Sequence, residues 1–230
     1  MGFKRTREEL GPNPDPERWM DVFTKEGWYR KKRPKKTLKL NDVMQEHADA
    51  AKVTMPAANR LLGKLEPWTR GLELGRIRAT LAARLKKSYL ETGKMDFSYL
   101  LDLDLQPNRT MKMLLLPKPK VTVTDEVVVK TVILENTLKL KGSIATEFYF
   151  ELIMLWGDPM KEKGLRVDSE ESQLYPRHSE VSGQCVLKVD VPTVKQPWMA
   201  LLKVNCLEGR EMAHHPRHYA LKVVAVGKPV

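Results

Sequence analysis

The chain has 230 residues, a formal net charge of +11, 42% hydrophobic residues and 30% charged residues, which is typical of a globular protein of one large domain or two small ones. It has no run of the roughly 18 consecutive apolar residues that a transmembrane helix needs, and the polar start MGFKRTREEL is unlike a secretory signal peptide. The two cysteines, Cys185 and Cys206, exclude a disulfide framework and favour a reducing compartment.

The positive charge is concentrated towards the N-terminus. Residues 1–94 contain 22 basic and 12 acidic residues, whereas residues 95–230 contain 18 basic and 17 acidic residues. This asymmetry predicts a cationic part that binds phosphate-bearing partners, followed by a nearly neutral body. We therefore predict a basic, partly disordered arm over residues 1–40, a helical region over 41–94 and a β-rich body over 95–230.

The arm begins with a proline-rich stretch, GPNPDPER, which disfavours both helix and sheet. The aromatic-rich segment RWMDVFTKEGWY follows at 18–29, and one or two helical turns are predicted there. Its four aromatic side chains either stack on unpaired bases or anchor the arm on the folded body; they are Trp19, Phe23, Trp28 and Tyr29.

The basic run RKKRPKKTLK occupies residues 30–39. Its density of cations predicts binding to phosphate groups, and its form also fits a nuclear-import signal or a solvated charge run. The start MGFKRT fits the Gly2 and Thr6 pattern of N-myristoylation. An acyl chain beside a basic patch is a usual combination for membrane attachment, so an anionic membrane surface is an alternative ligand.

Three helices are predicted after the arm. Asn41 is the expected N-cap of the first, DVMQEHADAAKV, which Pro56 is expected to stop. The second is PAANRLLGKL, and the third covers residues 71–90. The apolar face of the third consists of Leu74, Ile77, Leu81, Leu85 and Tyr89, and its opposite side carries Arg76, Lys86 and Lys87, with Arg78 and Arg84 at the borders.

The stretch HADAAKVTMPAANRLLGKLE resembles the helix-turn-helix unit of bacterial regulators, with a turn near residues 52–54. The resemblance implies a second helix in the major groove of DNA. Asn59 and Arg60 would then contact base edges, and Lys64 a phosphate. The stretch departs from the pattern at Lys52, where glycine is usual, and at Ala58, where a β-branched residue is usual.

From residue 111 onward the sequence predicts strands separated by turn signals. The predicted strands are MKMLLL, KVTVT, EVVVKTVIL, TLKLKG, IATEFYFELIMLW, QCVLKVDV, WMALLKVNC and HYALKVVAV. The polar stretch 157–183 is predicted to be an exposed loop, whose acidic residues form a solvated patch or meet a basic surface on a neighbouring copy; they are Asp158, Asp168, Glu170 and Glu171. The predicted fold class is α+β, with an antiparallel β-sandwich or jelly-roll-like body.

Residues 214–218, HHPRH, contain three of the five histidines. A polar hairpin loop is predicted there, since Pro216 prevents the helix that would bring two imidazoles onto one metal. No motif for a phosphate loop, a nucleophile elbow, a zinc protease or a dinucleotide fold is present. The prediction is therefore no catalytic residue, no metal and no cofactor; an enzyme with its site in a cleft of the body is the weakest alternative.

The layout, a cationic N-terminal region before a β-rich body, resembles that of viral coat and matrix proteins. The resemblance implies a non-enzymatic assembly role, self-association, and a location in the virion or cytoplasm, with nuclear import in a eukaryotic host. The alternative is a DNA-binding transcriptional regulator with a β-rich dimerisation or sensor domain. The predicted nucleic-acid-binding residues are Arg30, Lys31, Lys32, Arg33, Lys35, Lys36, Lys39, Asn59, Arg60, Lys64, Arg76, Lys86 and Lys87.

Overall fold

The computed structural model describes residues 6–14, 16, 18–32, 41–69, 72, 77–106, 109–140, 144–178, 183–193, 196–209, 211–213 and 215–227. The chain forms two compact units, Met1–Glu46 and His47–Val230. Among the described residues, no helix is both long enough and apolar enough to cross a membrane.

The first unit contains an antiparallel hairpin of two strands, β1 (Trp19–Thr24) and β2 (Gly27–Lys32). The predicted helical turns over 18–29 are therefore wrong. Aromatic and β-branched residues fit a pleated surface better than a helix. The positive φ of 111° at Gly27 also favours a glycine in the tight turn.

The helices are α1 (Asp42–Lys64), α2 (Glu66–Thr69), α3 (Ile77–Thr92) and α4 (Met111–Leu114). Asn41 caps α1 as predicted, because its Oδ1 accepts a hydrogen bond of 2.8 Å from the Met44 amide.

The predicted stop at Pro56 is wrong, since Pro56 lies inside α1. A proline within a helix costs about 3 kcal/mol, but Ala57, Ala58 and Leu61 directly after it are fully buried, and their packing offsets that cost.

The predicted apolar face of the third helix is buried at three of its four described positions, and the fourth, Tyr89, is half-buried. Ile77, Leu81 and Leu85 are all buried in the core, at the spacing that places them on one side of α3. Leu74 lies outside the described residues.

The strands of the second unit are β3 (Lys120–Val123), β4 (Glu126–Ile133), β5 (Glu147–Gly157), β6 (Leu165–Glu171), β7 (Tyr175–Pro176), β8 (Gly183–Asp190), β9 (Trp198–Glu208), β10 (Glu211–Met212) and β11 (Ala220–Gly227). Three segments differ from the predictions. MKMLLL contains the short helix α4, TLKLKG shows in its described part only a bridge between Leu138 and Leu115, and the stretch predicted as a loop contains β6 and β7.

These strands form two antiparallel sheets, so the α+β class with antiparallel sheets is confirmed. The six-stranded sheet has the order β10-β9-β5-β6, with β11 also paired to β9 and β7 to β5. The three-stranded sheet has the order β3-β4-β8. β4 and β8 alternate between buried and exposed residues, so one face of that sheet is covered.

The core is continuous through the second unit and includes residues of α1, α3 and both sheets. The two central strands, β5 and β9, are buried over almost their whole length, which indicates that both of their faces are covered. Cys185 and Cys206 are buried free thiols, and burial raises the pKa of Cys206 to about 12.

Candidate functional site

One face of the N-terminal hairpin carries three matched cross-strand pairs. Trp19 lies opposite Lys32, Asp21 opposite Arg30, and Phe23 opposite Trp28. The ammonium of Lys32 lies 5.7 Å from the Trp19 ring centre, and the rings of Phe23 and Trp28 are 5.4 Å apart. Such pairs on one face are the main source of stability in a two-stranded ribbon.

Arg30, predicted to bind phosphate, instead holds this hairpin together. Its Nε donates a hydrogen bond of 2.7 Å to Asp21 Oδ1, and only 17% of each side chain is exposed. Its terminal nitrogens donate to the backbone oxygens of Pro12, at 3.1 Å, and Gly11, at 2.9 Å. Arg30 is thus positioned to order the turn at residues 11–12 rather than to project a free charge.

The Asp21–Arg30 pair predicts a pH dependence of the hairpin. The hydrogen bond from Arg30 lowers the pKa of Asp21. The pair therefore stabilises the hairpin fully above about pH 4, the ordinary pKa of an aspartate, and this stabilisation is lost as the pH falls through the lowered pKa of Asp21. We expect the Arg30 Nε–H resonance to shift in that acidic range during an NMR titration. Asp21→Asn should abolish the transition, whereas Glu26→Gln in the exposed turn should leave it intact.

The neighbouring lysines face solvent, as predicted. Lys31 and Lys32 are exposed at the end of β2, and the same hairpin exposes 63% of Phe23 and 40% of Tyr29. The remaining predicted cations of the run, Arg33, Lys35, Lys36 and Lys39, lie outside the described residues, as does Arg76.

On α1 the structure separates the three predicted DNA contacts. The predicted turn at residues 52–54 is wrong, since α1 is continuous there. Asn59 and Lys64 are exposed. Arg60 donates hydrogen bonds of 3.1 Å to the carbonyl oxygens of Pro159 and Met160, so it fastens the β5–β6 connection to α1 and its guanidinium is already engaged.

On α3 the predicted cation Lys87 belongs to a local network with Glu91 and Tyr99. The Lys87 ammonium lies 3.9 Å from a Glu91 carboxylate oxygen and 5.9 Å from the centre of the Tyr99 ring, and Lys86 is half-buried. The Tyr99 hydroxyl donates to Glu91. Surface ion pairs of this kind are weak, so Lys87 can exchange its partner for a phosphate.

Sequence reasoning missed a second group of cations in the β-rich unit. A cavity of about 640 Å³ is lined by four basic side chains, one histidine and one carboxylate; they are Arg109, Lys139, Arg177, Arg217, His178 and Glu135. Arg109 donates a hydrogen bond of 2.7 Å to the carbonyl oxygen of Lys139, and Arg177 donates to that of the next residue, Leu140. No local motif could reveal this cluster, since its members are spread over more than one hundred positions.

Residues 214–218, HHPRH, contain one buried imidazole. His218 is buried, and its Nδ1 lies 3.2 Å from a Glu208 carboxylate oxygen. Burial lowers the pKa of His218, and the negative charge of Glu208 opposes that effect. His215 is exposed and His214 lies outside the described residues, among which no three side chains are grouped to hold a metal ion.

The predicted phosphate-binding cations that the structure describes are thus either exposed, as on the hairpin and at Lys64 of α1, or engaged with neighbouring groups, as at Arg30, Arg60 and Lys87; the arginine-lined cavity adds cations that were not predicted. No protein-family model, no curated protein and no solved structure matches the chain.

Proposed function

We propose that this protein is a non-enzymatic structural protein, similar to viral coat or matrix proteins, that binds nucleic acid through its basic N-terminal region and associates with copies of itself. The observation that carries the proposal is the pair of exposed lysines, Lys31 and Lys32, on an ordered hairpin. They directly precede the remaining cations of the basic run RKKRPKK. Lys31 lies on the same face of the hairpin as Tyr29, and Lys32 lies on the opposite face with Phe23.

This combination suits a sequence-tolerant nucleic-acid contact. Lysine and arginine neutralise phosphates and release counterions, and exposed rings such as Phe23 and Tyr29 offer faces on which unpaired bases stack. The arginine-lined cavity at Arg109 and Arg177 supplies further positive charge in the β-rich unit, where the sequence predicts near-neutrality.

The finer fold is part of the same proposal. We infer that the two antiparallel sheets are the layers of a β-sandwich. Support comes from the buried, alternating positions of β4 and β8 and from Tyr175, whose ring lies 5.6 Å from that of Phe148 while its hydroxyl interacts with Cys185 of β8. The edge strand β3, whose residues are mostly exposed, would offer unpaired backbone groups to a strand of another copy.

A helix-turn-helix regulator is the alternative. It needs two helices with a turn between them in the stretch 47–66, and α1 passes through that stretch without a break until Lys64. The engaged guanidinium of Arg60 also weakens this alternative, so we favour the assembly protein.

Substitution of four lysines tests the proposal: Lys31, Lys32, Lys35 and Lys36 are changed to Ala in the full-length protein. Binding to random single-stranded RNA and to duplex DNA is then measured across a salt series. We expect affinity to fall evenly across sequences, and the slope of log affinity against log salt to decrease by about 0.7 to 0.9 for each phosphate that the variant no longer neutralises.

The matched control changes two exposed lysines of the β5–β6 connection, Lys161 and Lys163, to Ala, and it should leave the slope unchanged. Sedimentation in the same buffers reports self-association. An unchanged slope in the four-lysine variant, or a weakening confined to one sequence, would contradict the proposal.

A further inference from the structure

The arginine-lined cavity is built by connections that come from distant parts of the β-rich unit. Arg109 lies two residues before α4, and Lys139 lies between β4 and β5. Arg177 directly follows β7, and Arg217 lies in a short 3-10 helix before β11. The Lys139 amide donates a hydrogen bond of 2.8 Å to the carbonyl oxygen of Leu114 in α4, so the first two connections are joined to each other. The cationic side chains therefore converge from backbone that is held in place.

The guanidinium groups of Arg109 and Arg177 are positioned by backbone carbonyls. Arg109 Nη2 donates to the carbonyl oxygen of Lys139 at 2.7 Å. Arg177 Nη2 donates to that of Leu140, and its Nη1 donates to that of Ala145 at 3.3 Å. A carbonyl oxygen satisfies a hydrogen-bond donor but carries no counter-charge. These contacts therefore restrict both side chains without cancelling their charge, which prepares the cavity for an anion at little further entropic cost.

Arg109 has no anionic partner in the described part of the chain. No carboxylate there lies within 4.0 Å of its guanidinium, and its Nε has no hydrogen-bond acceptor. The same search finds no carboxylate for Lys139, whose ammonium donates to the carbonyl oxygen of Lys112 at 3.1 Å. The carboxylate of the lining, Glu135, is exposed. Cations held together in this way call for an acceptor, and a negatively charged acceptor also supplies the missing counter-charge.

Two buried groups in the six-stranded sheet sense the positive potential of this region. Burial raises the pKa of Cys206, and the charges of Arg177 and Arg109 oppose that rise. Burial lowers the pKa of His218, and the charges of Arg217 and Arg177 lower it further. In both cases the arginines favour the less positive form of the group. The three arginines therefore act on one region together, and an anion that enters it is attracted by all of them.

A second cavity, of about 670 Å³, extends the same charge. Leu116 and Lys139 line both cavities, so the two adjoin each other. The charged residues of the second lining are four lysines and one aspartate; they are Lys112, Lys118, Lys139, Lys222 and Asp102. Lys222 is paired with Asp102 at 2.8 Å, which cancels one of the four positive charges. Cations spread over two adjoining cavities suit a chain of phosphates, which is the backbone of a nucleic-acid strand.

We propose that the arginine-lined cavity binds a phosphate group. The guanidinium fork matches the geometry of phosphate oxygens, and four basic side chains against one carboxylate suit a ligand with more than one acceptor oxygen. The phosphate has two sources with the same chemistry: a nucleic-acid strand that continues along the lysines of the second cavity, or a free compound such as pyrophosphate. The first source rests on the proposed function and gives the β-rich unit its own contact with the strand, besides that of the basic run.

Calorimetric titration of the full-length protein tests the proposal, with inorganic pyrophosphate and a short single-stranded RNA as probes. The titrations are repeated in the four-lysine variant, which removes much of the charge of the basic run. Arg217→Gln and Lys139→Gln, singly and together, remove charge from the cavity and leave the carbonyl contacts made by Arg109 and Arg177 in place. We expect each to weaken pyrophosphate binding about tenfold, the effect of removing a hydrogen bond to a charged group.

Two kinds of variant complete the test. Arg166→Gln, exposed on β6, and Lys161→Gln, exposed in the β5–β6 connection, are the matched controls and should bind both probes normally. Arg109→Lys keeps the positive charge but removes the fork, so it should also weaken pyrophosphate binding, while circular dichroism checks that the variant is folded.

Tighter binding of the RNA than of pyrophosphate by the four-lysine variant assigns the cavity to a nucleic-acid strand, and the reverse order assigns it to a free phosphate compound. The proposal is overturned if the four-lysine variant binds neither probe at millimolar concentrations, or if adding Arg217→Gln and Lys139→Gln leaves binding unchanged. The proposed role of the basic run fails separately, because only the salt slope of the four-lysine variant tests it.

Discussion

Gly157→Ala is expected to destabilise the protein by about 3 kcal/mol or more, a large fraction of the 5–15 kcal/mol that stabilises most domains. Gly157 is the last residue of β5 and has a φ of +119°, a backbone conformation that residues other than glycine rarely adopt. A Cβ added there would lie 1.9 Å from the carbonyl oxygen of Gly164, so the backbone of the β5–β6 connection would have to move. Arg60 fastens the same connection to α1, and the displacement would therefore strain that contact as well.

Gly63→Ala is the matched control for this substitution. Gly63 lies in α1, and a Cβ added there meets nothing within 4 Å. Alanine should stabilise the helix by about 0.5–1 kcal/mol at such a site. Urea unfolding followed by circular dichroism measures both variants, and a Gly157→Ala protein as stable as the unchanged one would show that the connection is far more plastic than its close contacts indicate.

Phe150→Ala is expected to cost about 3–5 kcal/mol, the usual range for a buried phenylalanine. Phe150 is fully buried in the middle of β5, and its ring lies edge-on to that of Phe148, with 5.7 Å between the ring centres. Truncation would leave a cavity on the face of β5 that the ring now fills, and the surrounding close-packed side chains have little freedom to move into it.

The same change at an exposed position separates this packing effect from the removal of an aromatic ring as such. Phe23→Ala removes a ring that is mostly exposed on the hairpin, and the loss of its cross-strand pair with Trp28 should cost no more than about 1 kcal/mol. Thermal unfolding of the two variants provides the comparison. Equal midpoints would mean that Phe150 does not contribute to the core in the way its burial indicates.

Regular alternation made much of the β-rich unit predictable. In β4, Val127 and Val129 are buried while Lys130 is exposed, so the sequence pattern of period two directly reflects the covered face. β5 and β9 were predictable for another reason. They are long, mostly apolar runs, rich in aromatic residues in β5 and in aliphatic residues in β9, which is the pattern of a strand covered on both sides.

Segments whose structure depends on distant partners were not predictable. Residues 165–171 are strongly polar, yet they pair with β5 as β6, because hydrogen bonding to an existing strand outweighs their composition. MKMLLL is predicted as a strand although Met, Lys and Leu favour helices; Met111 and Leu114 are buried from one turn of helix, whose first amide donates to Asp104 at 2.8 Å. Tertiary context decided the first case, whereas helix propensity agrees with the structure in the second.

The candidate nucleic-acid residues illustrate the same limit. A count of cations cannot distinguish Lys31, which is exposed, from Arg30 and Arg60, which donate to backbone oxygens of distant residues. The charged pair in the middle of the six-stranded sheet was equally hidden, since Glu151 and Lys203 are 52 positions apart in sequence and lie side by side only because β5 pairs with β9.

The β8 edge of the three-stranded sheet is partly covered by a side chain from the other sheet. β8 is the last strand in its sheet, so its outer N–H and C=O groups would be open to a strand from another molecule. Glu170 of β6 reaches this edge, and its carboxylate accepts a hydrogen bond from the Lys188 amide. A foreign strand that docks along β8 must displace this carboxylate before it can bond to the Lys188 amide. The carboxylate therefore makes this part of the edge a poorer template for pairing with a strand of another molecule.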